Sequence, residues 1–215
     1  MKLPARELHI WAIARRLGPP RRPADQLVSK HVFVFGADPG VSRFGYCIVE
    51  SAPSAPGTGM TSRDRRRTSS SARAVAMGVL TTSPELPVHL RLAELQRELQ
   101  SLIREYQPTV LAIERVLFQV NVRTAMAVGQ ASGIAMAEAA NAGCEVVQYS
   151  PNQVKEAVAG HGAAGKREVQ QMVQVLLGLD TAPEPADVAD AAAVALCHVA
   201  IAPVLSAVNS VVGPR

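Results

Sequence analysis

"VFVFGADPGVSRFGYCIVE", Val32 to Glu50, is an apolar run broken at Asp-Pro-Gly and resumed at Phe44. Val32–Asp38 and Phe44–Glu50 both read as strands, and the residues between them are too few for a helical crossover, so the pair is expected to be antiparallel. Asp38 stands at the break, where an aspartate can hydrogen-bond the following backbone and Pro39-Gly40 turns the chain. Either Asp38 serves only that turn, or it is also one corner of a cluster completed by residues far along the chain.

Outward from this stretch the elements alternate. Ala74–Thr82 reads as a third strand. "LPVHLRLAELQRELQSLIREYQP" then places Leu86, Leu90, Leu95, Leu99, Leu102, Ile103 and Tyr106 at helical spacing, stopped by Pro108. "TVLAIERV" is a continuous apolar strand interrupted at Glu114, the pattern of a strand buried on both faces. Asn121–Ala142 is a helix rich in Ala, Gly and Met and apolar on more than one face, which implies cover from the sheet and from a second surface, with a partner subunit the candidate. "EVVQYS" is a fifth strand, and "SPNQ" opens a helix with Ser150 as N-cap, Pro151 at its first position and Gln153 completing a capping box. "KREVQQMVQVLLG" follows with Val169, Met172, Val173, Leu176 and Leu177 on one face, and a final Ala-rich helix carries Asp187 and Asp190. The expected fold is α/β: a mixed five-stranded sheet, three antiparallel strands then parallel ones, with helices on both faces.

The flanks differ in composition. Residues 1–31, ending in the Pro/Arg-rich "GPPRRPADQ", read as a basic, flexible extension, and residues 51–73 as an Arg/Ser-rich loop inserted in the domain at 32–208; residues 209–215 read as a tail. Those two basic segments carry +5 and +4, which against a total of +4 leaves −5 for the rest of the chain. An acidic body suits a nucleic-acid enzyme only where some of its carboxylates hold metal. At 215 residues and 48% hydrophobic, the chain can bury one sizeable core, and at 4% aromatic it offers few platforms for stacking bases. Three cysteines without C-x-x-C spacing speak against a disulfide framework or a zinc site, and the five histidines show no ligand spacing. Neither a membrane span nor an export signal is evident, so a cytoplasmic location is expected.

Polar residues are informative where local physics resists them. An ionised Glu114 inside an apolar strand carries a heavy desolvation penalty unless it reaches solvent, pairs with Arg115 or meets a cation. Asp187 and Asp190, spaced i, i+3, share one helix face and repel each other, although acids in a first turn also complement the helix dipole. Each acid has a plain explanation by itself. In combination they suggest a single cleft, since a first strand beside a central strand can align Asp38 with Glu114 and a helix packed on that sheet can present Asp187 and Asp190. Hard divalent cations with oxygen ligands, Mg²⁺ or Mn²⁺, would neutralise such a cluster.

Taken together, "GADPGVSRFGYCIVE", "LAIERVLFQVNVRTAMAVGQASGIAMAEAA", "YSPNQVKEAVAGHGAAGKREVQQMV" and "PADVADAAAVALCH" resemble, in order and over most of residues 32–199, the RuvC-type Holliday-junction resolvases of the RNase H-like superfamily. The resemblance implies that Asp38, Glu114, Asp187 and Asp190 are catalytic acids holding two Mg²⁺, with Mn²⁺ able to substitute, and that Lys155 and Lys166 lie near the DNA backbone. It further implies a homodimer that makes paired symmetric nicks in a four-way DNA junction, leaving 5′-phosphates, in concert with a branch-migration complex. Leu117 and Phe118 fall where the family commonly places an aromatic wedge, and with Arg123 they are candidate DNA contacts. Residues 1–31 precede the family's usual start, so initiation is expected nearer Val28 or Val32. Two other readings stand beside this one: a related nuclease acting on structured RNA, and a junction-binding module that has lost cleavage.

Overall fold

The computed structural model describes residues 32–51, 72–115 and 122–212, and within the helical segments the side chains of 122–124 and 203–212 are left aside. The extension at 1–31, nearly all of the inserted loop, and Leu117 and Phe118 lie outside the described residues, as does the side chain of Arg123.

Five strands form one sheet: β1 (Val32–Asp38), β2 (Arg43–Ser51), β3 (Arg73–Thr81), β4 (Val110–Glu114) and β5 (Glu145–Tyr149). Their spatial order is β3-β2-β1-β4-β5. β1 and β2, like β2 and β3, are antiparallel, whereas β1–β4 and β4–β5 are parallel, as the short turn after Asp38 and the long helical connections require. Among the described residues there are five helices: α1 (Val88–Tyr106), α2 (Val122–Asn141), α3 (Pro151–Ala159), α4 (Lys166–Leu177) and α5 (Ala186–Val212). α5 extends past residue 208, so the segment expected as a tail begins inside a helix.

Two cores sandwich the sheet. On one face α1 and α2 pack Leu95, Leu99, Ile103, Ala131, Ala135 and Ala139 against Phe35, Phe44, Ile48 and Ile113. On the other, α3, α4 and α5 cover Val34, Cys47, Val49 and Ala112. Period-two alternation assigns the strand residues to faces: Phe35 and Ala37 belong to the first core and Val34 to the second, which directs Gly36 and Asp38 toward α5 as well.

α5 makes the closest approach to the sheet. Every residue from Ala191 to Cys197 is 4% exposed or less, as expected of a helix apolar all round and enclosed by sheet and neighbouring helices. Two glycines admit it: a Cβ at Gly36 would stand 2.2 Å from the Ala191 carbonyl oxygen, and one at Gly45 would stand 2.1 Å from that of Asp187. Only residues without a side chain allow the helix backbone to rest there. The capping box at Ser150 and Gln153 forms as expected, its Ser150 side chain accepting from the Gln153 N–H. α1 stops at Tyr106, with Gln107 in the left-handed region (φ 46°) before Pro108. Among the described residues, no helix is long and apolar enough to cross a membrane.

Candidate active site

The register of the sheet brings the acids together. Asp38 closes β1 opposite Gly45, and Ala37 pairs in parallel with Ile113, so Glu114 follows one step along the neighbouring strand. Gly45 in turn lies against the Asp187 backbone, which sets the first turn of α5 over the ends of β1 and β2. Asp187 and Asp190, three residues apart, then share the helix face that looks on Asp38. All four residues are partly buried, and Asp38 and Glu114 feel neighbouring acids. Burial, followed by the charges of Asp190, Glu114 and Asp187, pushes Asp38 up to about 7, against an opposing pull from Lys166. Glu114 is raised by burial and then by Asp190, with Lys166 and Lys155 acting the other way.

The helix acids already have partners. Arg43 donates from both Nε and Nη2 to Oδ2 of Asp187, at 3.1 and 2.7 Å. Burial tends to raise Asp187, but the Arg43 hydrogen bonds and charge outweigh it, and its carboxyl is held below the usual aspartate value. Lys166, at the start of α4, places Nζ 3.3 Å from Oδ2 of Asp190, and its ammonium is stabilised by Asp190 first and then by Asp38 and Glu114. Lys155 on α3 adds positive potential at Glu114. Asp187 and Asp190 are thus each matched by one basic side chain.

The launching point of Arg43 is braced. The Thr82 hydroxyl donates to the Val41 carbonyl at 2.6 Å, and Arg91 of α1 reaches the hydroxyls of both Thr82 (2.9 Å) and Ser42 (2.5 Å). In the sequence Arg43 is only a charged residue just before an apolar run, and the structure makes it the exposed first residue of a strand buried from Phe44 to Val49.

The donor set tests what the cluster could hold. Among the described residues, no three His, Cys, Asp or Glu side chains already form an ion cage. The acidic groups that act on Asp38 are all carboxyls, and the three cysteines are buried in the two cores. His198 is engaged elsewhere, with Nδ1 2.8 Å from the Tyr149 hydroxyl, and His161 pairs with Glu168. An oxygen-only set of negative groups, balanced for now by a guanidinium and an ammonium, fits a hard divalent cation and not zinc.

A sheet of three antiparallel strands continued by two parallel ones, with acids at the ends of β1 and β4 and on the helix that closes over them, defines the RNase H-like nuclease class. Comparison with known proteins narrows this. The family described as Crossover junction endodeoxyribonuclease RuvC matches residues 34–198. Curated relatives of that name include one from Roseiflexus sp. (strain RS-1), 44% identical over 79% of this chain and 92% of its own length. Another, from Salinispora arenicola (strain CNS-205), is 43% identical over 77% and 86%. Thermus thermophilus RuvC superposes with a TM-score of 0.67 at 35% identity, over 80% of this chain and 96% of its own. The same protein in complex with a Holliday junction substrate gives 0.69 at 34%, over 82% and 98%. The chain belongs to the RuvC family of crossover junction endodeoxyribonucleases.

Proposed function

We propose that the chain resolves Holliday junctions by paired symmetric nicks, and that Asp38, Glu114, Asp187 and Asp190 are the acids that hold its metal ions. The observation that carries this reading is that Asp38 of β1 lies within electrostatic reach of Glu114 on β4 and of Asp187 and Asp190 on α5, in a member of this family. Mg²⁺, with Mn²⁺ able to replace it, would supply charge neutralisation and an activated water for in-line attack on a phosphodiester. The protein's own part is positional. β1 and β4 fix two carboxylates on a rigid sheet, and α5 lowers the other two onto them.

Lys166 is 83% exposed on its side chain and makes one long contact to Asp190, so a DNA phosphate can take its place opposite the ammonium. Lys155 adds positive charge within reach of Glu114. These two lysines are the proposed backbone contacts, with Leu117, Phe118 and Arg123 as further candidates at the segment after β4. α2 supports a homodimer, since it packs on the sheet side through Ala131, Ala135 and Ala139 while Met126 stands 61% exposed. Two copies about a two-fold axis would present two matched sites to a four-way junction. A branch-migration complex is the proposed cellular partner, and a DNA substrate supports a cytoplasmic location.

The test compares Mg²⁺-dependent cleavage of a synthetic four-way junction, a linear duplex and a structured RNA. Paired nicks in the junction alone support the proposal; preferential cleavage of RNA, or binding with no cutting of any substrate, would overturn it. Asp38→Asn and Asp187→Asn should each lower cutting by at least a thousandfold while junction binding in a gel shift stays within about threefold, because phosphate contacts and metal chemistry are separable.

A further inference from the structure

We infer that Arg43 is a positioning residue that competes with the divalent cation for Asp187, and so sets how much metal the site needs. This rests on the metal-site reading above. The guanidinium sends two N–H groups to one oxygen, Oδ2 of Asp187, so a cation binding through that oxygen must share or displace it. The contact is anchored. Arg43 opens β2 in register with Thr81, and its neighbour Ser42 is tied through Arg91 and Thr82 to α1 and the end of β3. Lys166 differs, with a single 3.3 Å contact from an ammonium that is largely in solvent.

A fixed positive charge within a few ångströms of a cation site opposes a second cation, and in a partly buried setting the effect is about tenfold in affinity. Arg43 also relieves the crowding of carboxylates in the protein without metal, so it exchanges metal affinity for stability of the free enzyme. With half of its side chain in solvent, Arg43 can swing from Asp187 without disturbing either core.

The test is Mn²⁺ binding to the DNA-free protein, followed by loss of the free-ion signal in electron paramagnetic resonance. Arg43→Gln should bind Mn²⁺ about tenfold more tightly than the unaltered protein, and Arg43→Lys, which keeps the charge, should bind nearly as weakly as the original. The half-saturating Mg²⁺ for junction cleavage should fall in parallel in Arg43→Gln. Unchanged or weaker Mn²⁺ binding in Arg43→Gln would overturn the proposal, since a purely structural Arg43 predicts a looser site. Asp38→Asn serves as the control. If the unaltered protein binds no Mn²⁺, or binds it undiminished in Asp38→Asn, the metal-site reading itself fails; if Asp38→Asn weakens binding and Arg43→Gln does not tighten it, only the role of Arg43 fails. Should Arg43→Gln not fold, Arg43→Lys carries the decision, with Mn²⁺ binding weakened more than threefold counting against competition.

Discussion

Asp38 stands both at a chain reversal and among other acids. It ends β1 before the Pro39-Gly40 turn, and its carboxyl is pushed up to about 7 by burial and by three neighbouring acids. A carboxyl raised above its unfolded value stabilises the fold only while protonated; the contribution is complete below about pH 4 and is lost as pH rises through about 7. In EDTA, therefore, the protein should lose stability between pH 5 and pH 8, and Asp38→Asn should remove much of that slope. At pH 8 the substitution is expected to stabilise the metal-free protein by on the order of 2 kcal/mol, measured by urea unfolding. Carboxyls held together against burial and mutual repulsion lower stability in this way. Equal or lower stability of Asp38→Asn would mean that the carboxylates are not in conflict.

At the scale of elements, the contact of α5 with β1 and β2 controls the geometry of the cluster. Gly36 and Gly45 face that helix, and each would put a Cβ within 2.2 Å of a helix carbonyl oxygen. Neither partner atom is the end of a flexible side chain, so Gly36→Ala and Gly45→Ala should each cost about 3 kcal/mol or more in thermal or urea unfolding, at the upper end of overpacking effects. Gly45→Ala should also shift Asp187 and depress cleavage beyond what its stability loss explains at a temperature where the variant is folded. Gly129 and Gly133 of α2 supply the contrast, since a Cβ at either meets nothing within 4 Å. The sequence marked α5 as Ala-rich, but its spacing could not say which strand it crosses. The glycines that decide this are ordinary strand residues until the sheet is assembled.

Across the whole molecule, the buried Tyr149–His198 pair links β5, the strand at one edge of the sheet, to the middle of α5. Burial holds His198 below its ordinary pKa, with Glu145 opposing weakly. A histidine lowered in the folded state contributes stability that is present above its unfolded value near 6.5 and is lost as pH falls through its folded value. Melting temperature should accordingly drop on acidification from pH 7 toward pH 5 more steeply for the unaltered protein than for His198→Gln, which cannot acquire the proton; parallel curves would refute the role of His198. This loss runs opposite in sign to the gain from Asp38, so the two variants separate the contributions. Much of the architecture was legible in the residues alone. Alternation and helical spacing state which side chains seek the core, the short Asp-Pro-Gly connection requires an antiparallel pair, and Glu114 stands out because an apolar strand has no local use for it. Those properties are set by neighbours within a few residues. The pairing of Arg43 with Asp187 across 144 residues, the cation given to each helix acid, and the Tyr149–His198 bond belong to the tertiary structure. They depend on strand register and on where α5 crosses the sheet, and packing fixes both only when all five strands and their covering helices are in place.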